Sequence, residues 1–219
     1  MSLRESYDDY YRNPNYFSYH EWIYRRYIAT LLAVAQLRPG SSVLDVGCGQ
    51  GFFSSLLQRC GMKVYGIDLS EVGVRCADRA YGFLGARFIV ADATRTPFGE
   101  QFDCVFTRSL SLYNSATFSS DSTVTDVLLY SVKENGCLLF LYNTNLARTQ
   151  LHGSWRYHSL ENVREHFSTF RNPQIFLVNR LHASFVGKRA FSNLSTRLNS
   201  FISSRFDIGA DLVCILRKE

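Results

Sequence analysis

The chain has 219 residues, 46% hydrophobic and 20% charged, with a net charge of +5 and only 4 prolines and 14 glycines. That balance excludes a disordered, collagen-like or low-complexity chain, and the length predicts one domain, or one domain with an appendage, that needs no disulfide staples. No uncharged apolar run approaches the ~20 residues of a membrane span, and the polar, acidic start MSLRESYDDYYRN lacks a secretory signal's apolar core, so a cytoplasmic setting without membrane contact is expected.

The predicted elements follow in chain order. The first helix starts at a capping box, with Ser18 as cap and Glu21 three residues on. Phe17 and Trp22 are placed to form the hydrophobic staple, and Arg38-Pro39-Gly40 ends the helix after about Leu37. SVLDVG (42–47) is a buried strand, followed by a glycine turn and a helix near 51–60 closed by Gly61. KVYGID (63–68) is the second strand, and Ser70 caps the next helix. ARFIVAD (86–92) and FDCVFT (102–107) are the third and fourth strands. A helix near 122–134, ended by Asn135-Gly136, leads into CLLFLYN (137–143). Ser159 caps a helix through about Phe167, and QIFLVNR (174–180) and ADLVCILRK (210–218) are the last strands. The stretch 181–209 between them is expected to be a helical insertion. Phe191, Leu194, Leu198, Phe201 and Ile202 recur there at helical spacing and are expected to pack inward, with Lys188, Arg189, Arg197 and Arg205 off the stripe. The alternation argues an α/β fold with a mainly parallel sheet. The expected division is an aromatic lid and first helix at 1–39 and a main domain at 40–219.

The six cysteines are scattered, with neither a CxxC pair nor a zinc spacing, and are expected to be buried free thiols in a reducing compartment. No metal site is expected. Charge is uneven: residues 140–219 carry eleven Lys/Arg against five Asp/Glu. This marks either a solvated basic face or an anionic partner.

The chemistry concentrates in Val43-Leu44-Asp45-Val46-Gly47-Cys48-Gly49-Gln50-Gly51. Glycines admit φ > 0 and close approach of a ligand, and the helix start adds N–H groups and partial positive charge. The spacing departs from the dinucleotide fingerprint G-x-G-x-x-G/A: it is G-x-G-x-G, followed by Phe52, too large for the close helix–strand contact. Asp45 would sit badly beside a pyrophosphate and suits a cationic ammonium or sulfonium centre. Asp68 ends the second strand, where a carboxylate can bind vicinal ribose hydroxyls. Asp92-Ala93 ends the third, where a carboxylate and an N–H can read an adenine edge.

In order and spacing, VLDVGCGQG, VYGIDLS, IVADATRTPF and FDCVFT resemble the class I S-adenosylmethionine-dependent methyltransferases over roughly residues 40–145. The likeness is greatest to the small-molecule branch, with its D-A-x-x-x-P-F-x-x-x-F-D run. The resemblance implies a Rossmann-like, seven-stranded, mostly parallel sheet with helices on both faces and the last strand antiparallel, and S-adenosyl-L-methionine as cofactor. It assigns Asp45, Gly47 and Gly49 to the methionine end, and Asp68 and Leu69 to ribose and adenine, with Cys48 and Gly51 also in the cofactor site. Asp92 and Ala93 go to the adenine edge, and Thr107 and Arg108 approach the methionine by their backbone.

After the fourth strand the sequence reads Thr107-Arg108-Ser109-Leu110-Ser111. It lacks the [DNS]-P-P-[YF] run and the Pro-Cys nucleophile of base methylation, an acid for magnesium and the paired glutamates of arginine methyltransferases. What remains is metal-independent transfer to O or N of a small molecule, an anionic acceptor among the candidates. Tyr11 and Tyr16 suit a lid, mobile until ligand binds, with Tyr16 on the cofactor, whereas Tyr24 and Tyr27 are expected to pack the first helix. Candidate bases are His20, His152, His158 and Tyr113, of which His20 and Tyr113 are put forward as catalytic. Nucleic-acid methylation through the basic C-terminal third and a non-catalytic cofactor-binding module stand as alternatives, with the chain a monomer or homodimer.

Overall fold

The computed structural model describes residues 3–14, 16–95, 98–99, 101–114, 122–144, 150–152, 155–206 and 210–219. Pro97 of the D-A-x-x-x-P-F run lies outside them. Seven strands form one sheet: β1 (Ser42–Val46), β2 (Lys63–Asp68), β3 (Arg87–Val90), β4 (Phe102–Arg108), β5 (Val132–Thr144), β8 (Gln174–Val178) and β9 (Ala210–Arg217). Their order is β3-β2-β1-β4-β5-β9-β8. Pairing is parallel from β3 to β5, and β9 runs antiparallel to both β5 and β8. The central strands are buried on both faces, which is why they read as continuous apolar runs. On one face, α2 (Glu21–Val34) and α3 (Phe52–Arg59) set Tyr27, Ile28, Leu31, Phe53 and Leu57 against Cys104, Phe106, Leu139 and Val213. On the other, α5 (Ser122–Tyr130) and α6 (Leu160–Ser168) set Leu128, Val163 and Phe167 against Val105, Leu138, Phe140 and Leu212. Two short strands, β6 (Gln150–His152) and β7 (Trp155–Tyr157), pair separately. All six cysteines are free; Cys60 and Cys76 are half-buried and the rest buried.

Several local expectations are overruled. No capping box forms at Ser18: it sits at φ +52, and α2 starts at Glu21 with His20 as N-cap and no side-chain cap bond. Phe17 instead stacks on Tyr19 and packs edge-on to Tyr11 and Tyr16, leaving Trp22 73% exposed and the staple unmade. The segment expected to be a lid contains a helix, α1 (Leu3–Tyr11), docked on α4 (Glu71–Tyr81). Helix α5 ends at Tyr130 rather than near 134, because β5 already pairs at Val132. A register shift between Phe102 and Cys104 absorbs the extra residues, and a Cβ at Gly136 would lie 2.8 Å from the Asp103 carbonyl.

The insertion after β8 is helical, as α7 (Arg180–Val186) and α8 (Asn193–Phe206) joined by a 3-10 turn. Its stripe is reversed. Phe191 is buried, but Leu194, Leu198 and Phe201 face solvent, and Thr196, Asn199 and Ser203 are the buried residues of α8.

Candidate functional site

A cavity of about 700 Å³ opens at the carboxyl ends of β1, β2 and β4. Its base is the turn after β1, which is tied to the neighbouring strand: Gly47 N and Cys48 N both donate to the Ile67 carbonyl, at 2.8 and 2.9 Å. Gly47 (φ +76) and Gly49 (φ +52) take conformations that disfavour side chains. A Cβ at Gly49 would stand 2.8 Å from the Tyr11 hydroxyl oxygen, and one at Gly47 would stand 2.8 Å from Leu110 Cδ1.

Three carboxylates mark successive strand tips. Asp45, at the end of β1, is buried and accepts from Ser54 Oγ of α3 at 2.5 Å. Burial, opposed by that hydrogen bond and reinforced by nearby Asp68, pushes its carboxyl up to about 7. Asp68 closes β2. Its Oδ2 accepts from Gly49 N at 2.8 Å and its Oδ1 from Ser70 N at 2.9 Å, and burial raises it above the usual carboxylate range despite both bonds. A carboxylate has about four acceptor sites, so each oxygen retains capacity for a ligand. Asp92, beyond β3, is more open. Burial opposes its ionisation, but Thr94 N and Oγ1, at 2.9 and 2.7 Å, and Arg95 hold it below the usual value.

Helix α1 covers one side. Asp8 accepts from Ser70 Oγ and Val72 N. Gln50 grips the residues that follow: its Nε2 donates to the carbonyls of Tyr11 and Asn13 at 2.9 and 2.8 Å, and its Oε1 accepts from Tyr16 N at 3.3 Å. The Tyr11 ring lies over two glycines, since a Cβ at Gly73 would also meet it, at 2.8 Å. Burial pushes the Tyr11 phenol well above its ordinary value.

The opposite wall carries a buried cation. The Arg108 guanidinium stacks on Phe53, Tyr19 and Tyr24 at 4.9, 5.1 and 5.5 Å and donates to the Tyr19 hydroxyl at 2.8 Å. Asp211, fully buried in β9, stands 3.8 Å from Arg108 and 3.6 Å from Arg180, so two guanidiniums share one carboxylate.

The sequence-predicted residues divide accordingly. Tyr16, Asp45, Gly47, Cys48, Gly49, Asp68, Leu69, Asp92, Ala93 and Arg108 line the cavity. Arg108 does so with its side chain drawn back into the aromatic box. Gly51 does not reach the cavity: a Cβ there would meet Ala77 Cβ at 2.7 Å, so its role is packing α3 against α4. Thr107 is buried inside β4, paired to Val46 and Phe140. His20 is exposed at the start of α2, outside the lining. Tyr113 is fully buried, its hydroxyl bonded to Thr125, which in turn bonds His166 Nε2. His158 is buried, with its N–H on the Tyr142 hydroxyl, and the His152 side chain lies outside the described residues. The sequence reading missed Gln50 and Asn114 as lining residues. Only Gln50, a polar residue inside the glycine turn, carried a local signal. Among the described residues no three His, Cys, Asp or Glu side chains converge as a metal site.

Residues 43–124 match a family profile described as a methyltransferase domain. A ribosomal protein L11 methyltransferase of Paraburkholderia phytofirmans is 38% identical over 76 residues, 34% of this chain and 25% of that protein. A ubiquinone biosynthesis O-methyltransferase of Ralstonia nicotianae is 51% identical over 39 residues, 18% of this chain and 16% of that protein. The chain therefore spans a quarter or less of the length of these curated relatives. In fold, it superposes over 100% of its length on 60% of phosphoethanolamine N-methyltransferase 2 of Haemonchus contortus, solved with S-adenosyl-L-methionine, at a TM-score of 0.69 and 17% identity. The profile match falls on the strands whose tips carry Asp45, Asp68 and Asp92, and together with this sheet it supports a class I S-adenosylmethionine-dependent methyltransferase.

Proposed function

We propose that this chain transfers a methyl group from S-adenosylmethionine to an oxygen or nitrogen of a small, anionic acceptor. The observation that carries this reading is the single cavity that joins the three strand-tip carboxylates to the Tyr19–Arg108 wall. Its volume lies within the ~300–1,000 Å³ typical of small-ligand sites.

The residues present fit the cofactor. A desolvated carboxyl at Asp45, raised to about 7, gains by facing a permanent cation. Asp68 presents acceptors where a ribose diol would lie, and Asp92 with the Ala93 N–H would meet the adenine edge. Gly47 and Gly49 leave the turn bare of side chains, and Tyr16 and Leu69 supply apolar walls. When bound, S-adenosylmethionine supplies an electrophilic methyl on a sulfonium.

The protein's own contribution is placement. Orientation of two reactants can supply ~7–11 kcal/mol of barrier lowering, against about 3–5 kcal/mol from a general base. The charge balance supports an anionic acceptor, because Arg108 and Arg180 exceed their shared Asp211 by one positive charge behind Tyr19. The basic residues of 181–206 lie outside the cavity lining. The test is transfer of labelled methyl to a panel of carboxylate-, phosphate- and phenol-bearing acceptors, with neutral analogues beside them. Turnover restricted to neutral acceptors would overturn the anionic assignment. Cofactor binding with no turnover on any acceptor would overturn the enzymatic one.

A further inference from the structure

Helix α8 lies along β8, the outermost strand of the sheet. Thr196 Oγ1 accepts from Leu177 N at 3.3 Å, and Asn199 Nδ2 donates to the Leu177 carbonyl at 2.9 Å. An edge strand presents unpaired N–H and C=O groups, and the polar stripe of α8 is turned inward to satisfy them. The apolar stripe is thereby turned outward. Leu194 is 78% exposed, Leu198 54% and Phe201 65%, and their spacing of four and three residues puts them on one face. Arg205 continues that face one turn beyond Phe201, and Arg197 flanks it; both are exposed. In the preceding segment Phe185 is 81% exposed, and Lys188 and Arg189 are open to solvent. No acidic residue occurs between Arg180 and Asp207.

We infer that this face docks on an anionic lipid surface. A helix with Leu and Phe along an outward stripe and Arg beside it lies in a membrane interface, its apolar side chains in the headgroup–acyl boundary and its cations among the phosphates. Charge selects the occupant. In a two-fold contact of this face with itself, basic residues would face basic residues with no acid from this segment to pair them. A deformable lipid interface accommodates an exposed helix face without a matching groove. The contact is peripheral, since no helix among the described residues is long and apolar enough to cross a membrane. The inference is independent of which acceptor the cavity takes.

The test is flotation of the whole chain with vesicles of phosphatidylcholine alone or containing about a quarter phosphatidylglycerol. The protein should float with the anionic vesicles only, and binding should fade as salt rises toward about 0.5 M. Arg197→Gln/Arg205→Gln should lower the apparent affinity roughly thirtyfold, about fivefold per charge. Leu198→Glu/Phe201→Glu should lower it roughly tenfold or more even at low salt. All four side chains are exposed, so both variants should melt with the wild type. If the glutamate variant does not, the glutamine variant alone carries the test. Absence of wild-type binding, or equal binding by all three proteins, would overturn the inference. So would a concentration-dependent dimer that the glutamate variant splits.

Discussion

The Gln50 side-chain amide donates to the backbone carbonyl of Tyr11 across 2.9 Å, so the glycine turn holds the last residue of α1 directly over itself. The same nitrogen reaches Asn13 at 2.8 Å. Two such bonds are worth about 0.5–1.5 kcal/mol each. Gln50→Ala should therefore loosen the docking of residues 4–14 and speed their amide exchange roughly five- to hundredfold. Amides in β1 and β4 should keep their protection. Equal exchange in wild type and variant would show that Asp8 and the Tyr11 ring hold the arm without Gln50.

Asp68 is expected to carry the largest single share of cofactor affinity. Hydrogen bonds to a charged group contribute about 1.5–3 kcal/mol, so Asp68→Ala should weaken binding by roughly ten- to hundredfold. Asp68→Asn keeps an acceptor oxygen and should lose less. Calorimetric titration with S-adenosylhomocysteine reads both, and equal affinity for wild type and Asp68→Ala would remove the ribose assignment.

Asp45 predicts a pH dependence with a definite sign. In the folded, ligand-free protein its carboxyl titrates at about 7, whereas in the unfolded chain an aspartate ionises near 3.9. Between these values the folded state holds the extra proton, so stability falls as pH rises, by at most about 1.4 kcal/mol per unit from this group. A bound cation favours the carboxylate and lowers that value. Affinity for the sulfonium cofactor should therefore rise toward pH 7, by up to about tenfold per unit, and level off above it. Calorimetry near pH 6 in two buffers of different ionisation enthalpy should detect proton release on binding. Asp45→Asn should abolish the release, and its persistence would assign the proton to another group.

Gly51 is expected to matter for stability rather than for ligand contact. It sits at φ +81, and a Cβ would come within 2.7 Å of Ala77 Cβ. The left-handed backbone costs a side chain about 1–2 kcal/mol and overpacking a further ~1–3 kcal/mol. Gly51→Ala should lower the melting temperature by roughly 5–15 °C. Residual protein that is still folded should bind cofactor normally. An unchanged melting temperature would mean that α4 moves aside at little cost.

The sequence by itself determined what depends on neighbours along the chain. The glycine turn, the three aspartates at strand tips and the continuous apolar runs of β1, β4 and β5 are local patterns, and the structure reproduces them because nothing distant competes. Ser159 caps α6 with Asn162 for the same reason. Tertiary structure decided whatever was settled by a partner far away in sequence. Ser18 had the same local signal as Ser159, but Phe17 was drawn into the aromatic cluster over the turn, and its cap was lost. Tyr11 entered the site because Gly49 and Gly73 leave room for its ring. The Arg108 side chain is drawn into a box made by Tyr19, Tyr24 and Phe53 and closed by Asp211, a partner 103 residues away in the chain. The apolar stripe of α8 predicted an inward face. The Leu177 N–H and C=O of β8 took the polar side instead, bonded to Thr196 and Asn199, because a buried backbone group without a partner is costly.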